Sequence, residues 1–299
     1  MMKQRLLWLM LACVPILSAQ LKTLSIEPIS LPATERWSHP VFAPDGKGVF
    51  ITTSEYNGIW YYSFDAKVLK ELTRDKHSGF AFSVSPDGAT IGYRRTVQEG
   101  DHITRVQESI EMSVVTGTST VLERGNSVHP PVFIGTTVVS SDKQLQKITN
   151  RTETAILGID EKKISLLTNG QKKIFDPLRG QYIWPKLSPD AKSIVAVEMD
   201  RGAFVAAIDG SNVQLIGKCN APVWTRDGKW VIGMDDKDDG HVIYNSEIIA
   251  VAPDASKRIN LTEAFSSIAM YPAASPTDNS IVFNTTDGKV FILRYEEGQ

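Results

Sequence analysis

A short phrase recurs along this chain and constrains its fold more than any bulk property. It joins two apolar runs through Pro-Asp-Gly or a variant: VFAPDGKGVFIT (41–52), SVSPDGATIGYR (83–94), KLSPDAKSIVAV (186–197), VWTRDGKWVIGM (223–234) and AASPTDNSIVFN (273–284). A sixth, degraded copy, PVFIGTTVVSS (131–141), turns around Gly135. Ser or Ala followed by Pro suits a type I turn, Asp can bond nearby backbone, and Gly closes the turn at low steric cost. The apolar flanks, rich in β-branched and aromatic residues, suit paired antiparallel strands. Each phrase is therefore a hairpin, and the copies are spaced by roughly 37 to 55 residues, a period that signals a repeat architecture.

Each hairpin is followed by a polar connection and a third apolar strand. These are GIWYYSFDA (58–66), IEMSVVTG (110–117), ETAILGID (153–160), AFVAAIDG (203–210), SEIIAVAPD (246–254) and KVFILRYE (289–296). A short fourth strand comes next in five units: KELT (70–73), TVLE (120–123), SLLT (165–168), VQLI (213–216) and INLT (259–262). Four strands per unit and six units predict an all-β, six-bladed β-propeller of four-stranded antiparallel blades. The sixth unit lacks its fourth strand. We expect LKTLSIEPIS (21–30) to supply it and close the ring, removing an open sheet edge.

The first residues, MMKQRLLWLMLACVPILSAQ, have basic Lys3 and Arg5, an apolar core from Leu6 to Leu17, and small Ser18 and Ala19. That pattern predicts a secretory signal peptide at 1–19, with one propeller domain over 20–299. The apolar core is too short for an ordinary membrane-spanning helix. MLAC also loosely resembles a lipoprotein box, which makes lipidation at Cys13 the alternative to plain export. Cys219 is the only other cysteine, so no internal disulfide is expected and stability must come from the core. The net charge of −2 gives no basic footprint for nucleic acid.

The repeat FAPDGKGVFIT…IWYYSFDAKVLKELT resembles the TolB-type, WD-like propeller repeat: a Ser-Pro-Asp-Gly hairpin, a strand ending near Asp-Gly, and a terminal Leu-Thr. The resemblance runs over nearly all of residues 20–299. It implies the propeller fold, a periplasmic location, and a binding role in the cell envelope. TolB itself carries an α/β domain before its propeller; only residues 20–35 precede the first blade here, so we expect a stand-alone propeller without that domain.

No Gly-x-Ser-x-Gly elbow, phosphate-cradling Gly loop or His-Glu-x-x-His helix occurs. The five histidines show no metal-ligand spacing. His39 (WSHP) and His129 (SVHPP) lie just before the first strands of their blades. Trp184 (IWPK), Tyr271 (MYPA) and Ala221 (NAPV) share that register, and Trp37 and Tyr182 lie two residues earlier. These positions fall near the funnel mouth, so Trp37, His39, His129, Tyr182, Trp184 and Tyr271 are the candidate binding rim. MDDKDDGH (234–241) mimics a calcium loop but puts Lys237 where a ligand belongs, and reads as a solvated strand connection. QEGDHITRVQ (98–107) is the equivalent connection in blade two. QKKIFDPLRGQ (171–181) reads as an exposed, basic link between blades three and four. Glycosylation patterns at Asn150, Asn260 and Asn284 carry no weight in a bacterial-type export context.

The expected function is non-catalytic: a periplasmic scaffold that holds a protein or peptide partner at the funnel, with no cofactor, metal or nucleic acid. The alternative is a propeller lyase or hydrolase acting on a glycan or small molecule in the central channel. The expected innermost strands, 40–43, 82–85, 131–134, 185–188, 222–225 and 272–275, carry one ionisable side chain, Lys186, which weighs against that alternative.

Overall fold

The computed structural model describes residues 20–100, 104–148 and 153–298. It folds into a six-bladed β-propeller of four-stranded antiparallel blades. Blade one runs outward from Trp37–Phe42 through Gly48–Thr53 and Ile59–Ser63 to Val68–Thr73. The ring closes as expected. Gln20–Pro28 pairs antiparallel with Val290–Gly298 and becomes the outer strand of blade six. Leu21 is buried among blade-five and blade-six side chains, and the Thr23 hydroxyl donates to the Leu261 carbonyl of blade five at 2.7 Å.

The repeated phrase forms the inner hairpin of its blade. In blade two the Gly88 amide donates to the Ser85 carbonyl at 2.8 Å, while Asp87 Oδ1 accepts from the Ser85 hydroxyl (2.5 Å) and the Ala89 amide (3.0 Å). Asp190 and Asp227 accept the same pair of bonds in blades four and five. The residue after the Asp needs positive φ, which Gly46, Gly88 and Gly228 supply; blade four places Ala191 there at φ 55°.

Blade three departs from the expected strand order. The 131–141 hairpin forms around Gly135, but Val132–Ile134 and Thr137–Val139 make a separate two-stranded sheet. A short helix, Asp142–Leu145, follows. The strands expected to be third and fourth pair with each other as Ala155–Asp160 and Lys163–Thr168. Part of the expected link, Gln171–Phe175, adds beside them as the outer strand. Alternate residues of Lys163–Thr168 are buried on both faces, so this segment needs a neighbour on each side. Lys172 and Lys173 then sit on an exposed outer strand, where charge protects the edge.

Apolar side chains fill the seams between blades. Trp37, Ile51 and Trp60 of blade one meet Val282 and Val290 of blade six, and Ile164, Leu166 and Phe175 of blade three meet Ile194 and Phe204 of blade four. Cys219 is free and buried in the seam between blades four and five, and burial pushes its thiol up to about 12. No helix among the described residues is long and apolar enough to cross a membrane. The expected signal peptide with Cys13, the tip of the 98–107 connection and Asn150 lie outside the described residues.

Candidate functional site

The innermost strands share a distortion. Four residues before the first turn residue of each hairpin, the backbone turns left-handed: His39 (φ 48°), Ala81 (56°), Trp184 (52°), Ala221 (47°) and Tyr271 (51°). Blades one, two, four, five and six all carry it. In the four blades where proline follows, strand pairing slips at this point, between Ser38 and Val41, Ile183 and Lys186, Asn220 and Val223, and Met270 and Ala273. Each slip is a β-bulge, which leaves one residue unpaired and re-aims its side chain. A left-handed non-glycine residue costs about 1–2 kcal/mol. Strain of this kind gathers at functional sites. The bulges lie at the end of the inner strands opposite the Pro-Asp-Gly turns, around one mouth of the axial channel.

The mouth brings His39 and Tyr271 together across the seam between blades one and six, their rings stacked at 3.8 Å. Tyr56, from the connection after the second strand of blade one, tilts against His39 at 4.8 Å, and its hydroxyl lies 3.1 Å from His39 Nε2. Phe80, from the link into blade two, meets Tyr56 edge-on at 5.4 Å. His39 Nδ1 lies 2.7 Å from the Ser38 hydroxyl, and the His39 amide donates to Asn284 Oδ1 at 3.0 Å. Burial lowers the His39 imidazole to about 4, so the ring is neutral at pH 7. Burial also raises the Tyr56 and Tyr271 phenols. The result is an arc of uncharged rings over blades six, one and two, with Phe80 exposed beneath the Arg94 guanidinium, 5.6 Å from its ring centroid, and the other rings half-buried.

Trp184 occupies the bulge of blade four, opposite blade one in the ring, and is 38 % exposed. Lys186, two residues on, keeps solvent contact while protein surrounds it, and that burial lowers its pKa. His129 is exposed but lies apart from the arc, lining a cleft beside blade three.

Trp37 and Tyr182 are turned into the core. Trp37 packs edge-on against Trp60 at 5.1 Å and donates to the Pro32 carbonyl at 2.8 Å. The Tyr182 hydroxyl donates to Asp176 Oδ1 at 2.6 Å and accepts from the Leu178 amide at 2.9 Å, pinning the link between blades three and four. The acidic 234–241 stretch is mostly strand rather than a solvated connection: Met234 to Asp238 end the strand Val231–Asp238, with Met234 and Asp236 buried. Only the turn that follows is a connection, where Asp239 Oδ1 accepts from the His241 and Val242 amides at 2.9 Å; Asp235 pairs with Arg258 at 2.6 Å. Among the described residues, no group of three or more His, Cys, Asp or Glu side chains is placed to hold a metal ion.

No family model matches the chain, and no curated protein matches it. Solved structures do. TolB from Acinetobacter baumannii superposes with a TM-score of 0.56 at 16 % identity, over 81 % of this chain and 58 % of that one. The chain thus spans little more than half the length of TolB. The β-propeller domain of Cps50 (Swd1) from Myceliophteria thermophila gives a TM-score of 0.57 at 10 % identity, over 90 % of this chain and 99 % of that one. An oligogalacturonate lyase in complex with manganese gives 0.52 at 11 % identity, over 94 % and 97 %. At such identities the likeness is one of fold: the chain has the six-bladed propeller architecture that it shares, distantly, with TolB and other propeller proteins.

Proposed function

We propose that the protein is an exported, non-catalytic scaffold that binds a protein or peptide partner at the bulged mouth of the propeller. The observation that carries this reading is the stack of His39 on Tyr271, extended by Tyr56 and Phe80, with His39, Tyr56 and Tyr271 all on left-handed backbone. Aromatic rings on a rigid frame give large contact area at small entropic cost, and they dominate interface energetics. The neutral imidazole adds an apolar face with polar edges. Trp184 offers a second anchor across the ring, suited to an extended segment laid over the mouth. Export rests on the basic and apolar pattern of residues 1–19, and it puts the partner in the cell envelope.

The test is photo-crosslinking in cells, with the probe at Trp184 and, as a control, at Ile174 on the outer strand of blade three. The reading expects one protein captured from Trp184 and not from Ile174, with capture lost when Tyr271 is replaced by alanine. Equal capture at both probes, or capture that ignores Tyr271→Ala, would count against it.

A further inference from the structure

Apolar clusters at five of the six seams combine side chains from both blades. The cluster beside the seam between blades two and three draws on blade three alone, with Ile134, Val139, Ala155 and Leu167 at its centre. The seam face of blade three is thinned by two small residues that pair across its strands, Gly158 and Ser165. A Cβ built on Gly158 would meet no atom within 4 Å. A cleft of about 600 Å³ opens there, walled by the outer strand of blade two, Ser119–Gly125, and the link that carries His129.

Ser165 is 3 % exposed, lines this cleft, and its hydroxyl has no hydrogen-bond partner within the protein. A buried hydroxyl left unpaired is costly, and of the four such hydroxyls among the described residues, Ser109, Ser165, Thr168 and Ser246, only Ser165 faces this cleft, where a ligand can complete it. The charges around it sort into two sets. Lys172 Nζ lies 3.0 Å from Asp142 and 3.6 Å from Asp160, a group that satisfies itself. The side chains of Glu123, half-buried on blade two, and of Lys143, exposed on the short helix, make no ion pair or hydrogen bond among the described residues. The cleft thus presents the Glu123 carboxylate, the Lys143 ammonium, the buried Ser165 hydroxyl, the exposed His129 and an apolar side formed by Leu122, Val132 and Leu157.

We propose that this seam binds a short free peptide of two or three residues. Its ammonium meets Glu123, its carboxylate meets Lys143, a backbone group bonds Ser165 Oγ, and a side chain covers the apolar wall. A neutral polyol would desolvate Glu123 and Lys143 without pairing them, and a simple anion would face Glu123. The site is separate from the aromatic mouth and does not depend on its function.

The experiment is calorimetric titration of the purified protein with alanyl-leucine, its N-acetylated and C-amidated forms, and glucose. The free dipeptide binds saturably, and blocking either terminus weakens binding at least tenfold. Glu123→Gln weakens it to the same degree. Ser165→Ala weakens it several-fold while the melting temperature holds or rises, because an unpartnered hydroxyl has gone. Ser165→Leu fills the cleft and abolishes binding. Failure of alanyl-leucine to bind overturns the proposal. So does equal binding of the doubly blocked dipeptide or glucose, or binding that persists in Ser165→Leu.

Discussion

His39 holds a backbone conformation that L-residues rarely adopt and a ring that protonates only near pH 4. In the unfolded chain a histidine protonates near pH 6.5. Between those values the unfolded state binds more protons than the folded one, so stability rises with pH there and falls as pH drops from about 6.5 toward 4. Denaturant titrations across this window should show that slope in the native protein and a shallower one in His39→Gln; parallel curves would refute the neutral, buried imidazole. Ala191 tests the turn chemistry in the same way. It occupies the left-handed position that glycine fills in three other blades. Ala191→Gly should stabilise by about 0.5–1 kcal/mol, the relieved strain less the added freedom of the unfolded chain. An unchanged or lower unfolding midpoint would show that Ala191 carries no strain.

At the scale of elements, the hairpins were legible because Ser-Pro-Asp-Gly chemistry is local: donor, acceptor and positive φ all lie within five residues. Blade three departs from its expected strand order where that chemistry fails. Without the Asp turn, the period alone could not tell an inner hairpin from an inserted one, and Gln171–Phe175, with three exposed polar residues, looked like a link. The mouth was partly legible. His39, Trp184 and Tyr271 share an X-Pro register that the eye can follow, whereas Tyr56 and Phe80 come from connections with no repeat signature. Trp37 and Tyr182 fall on the rim only if residues two apart share a face, as they do in a regular strand. The bulge breaks that alternation and sends the earlier ring into the core. Blade two has a different support. Glu108, almost fully buried, meets Arg95 at 2.7 Å and Arg124 at 2.6 Å, and Arg95 reaches on to Asp75 at 3.1 Å. Glu108→Ala removes the acceptor that Arg95 and Arg124 share, leaving Arg95 on Asp75 and Arg124 on Glu99, and should cost about 1–3 kcal/mol in chemical denaturation. A loss under 1 kcal/mol would mean that the network is solvated.

Across the whole molecule, stability depends on closing the ring. Leu21 is 2 % exposed and fixes the first strand to blades five and six. Leu21→Ala should cost about 2–5 kcal/mol, and it should do so as a single cooperative transition because every blade leans on its neighbours. A separate early transition confined to blade six would instead show that closure is local. The closed frame holds the bulged residues in register, so aromatic side chains from blades as far apart in sequence as the first and the last meet at 3.8 Å.

The most direct test of a binding mouth is the affinity of the crosslinked partner, once identified, for the native protein and for Tyr271→Ala. Loss of a central aromatic anchor is worth about 2 kcal/mol or more, roughly a thirtyfold weaker Kd, with the fold intact by thermal melting. That is the predicted result. An affinity unchanged within twofold would place the partner elsewhere on the propeller and contradict the account.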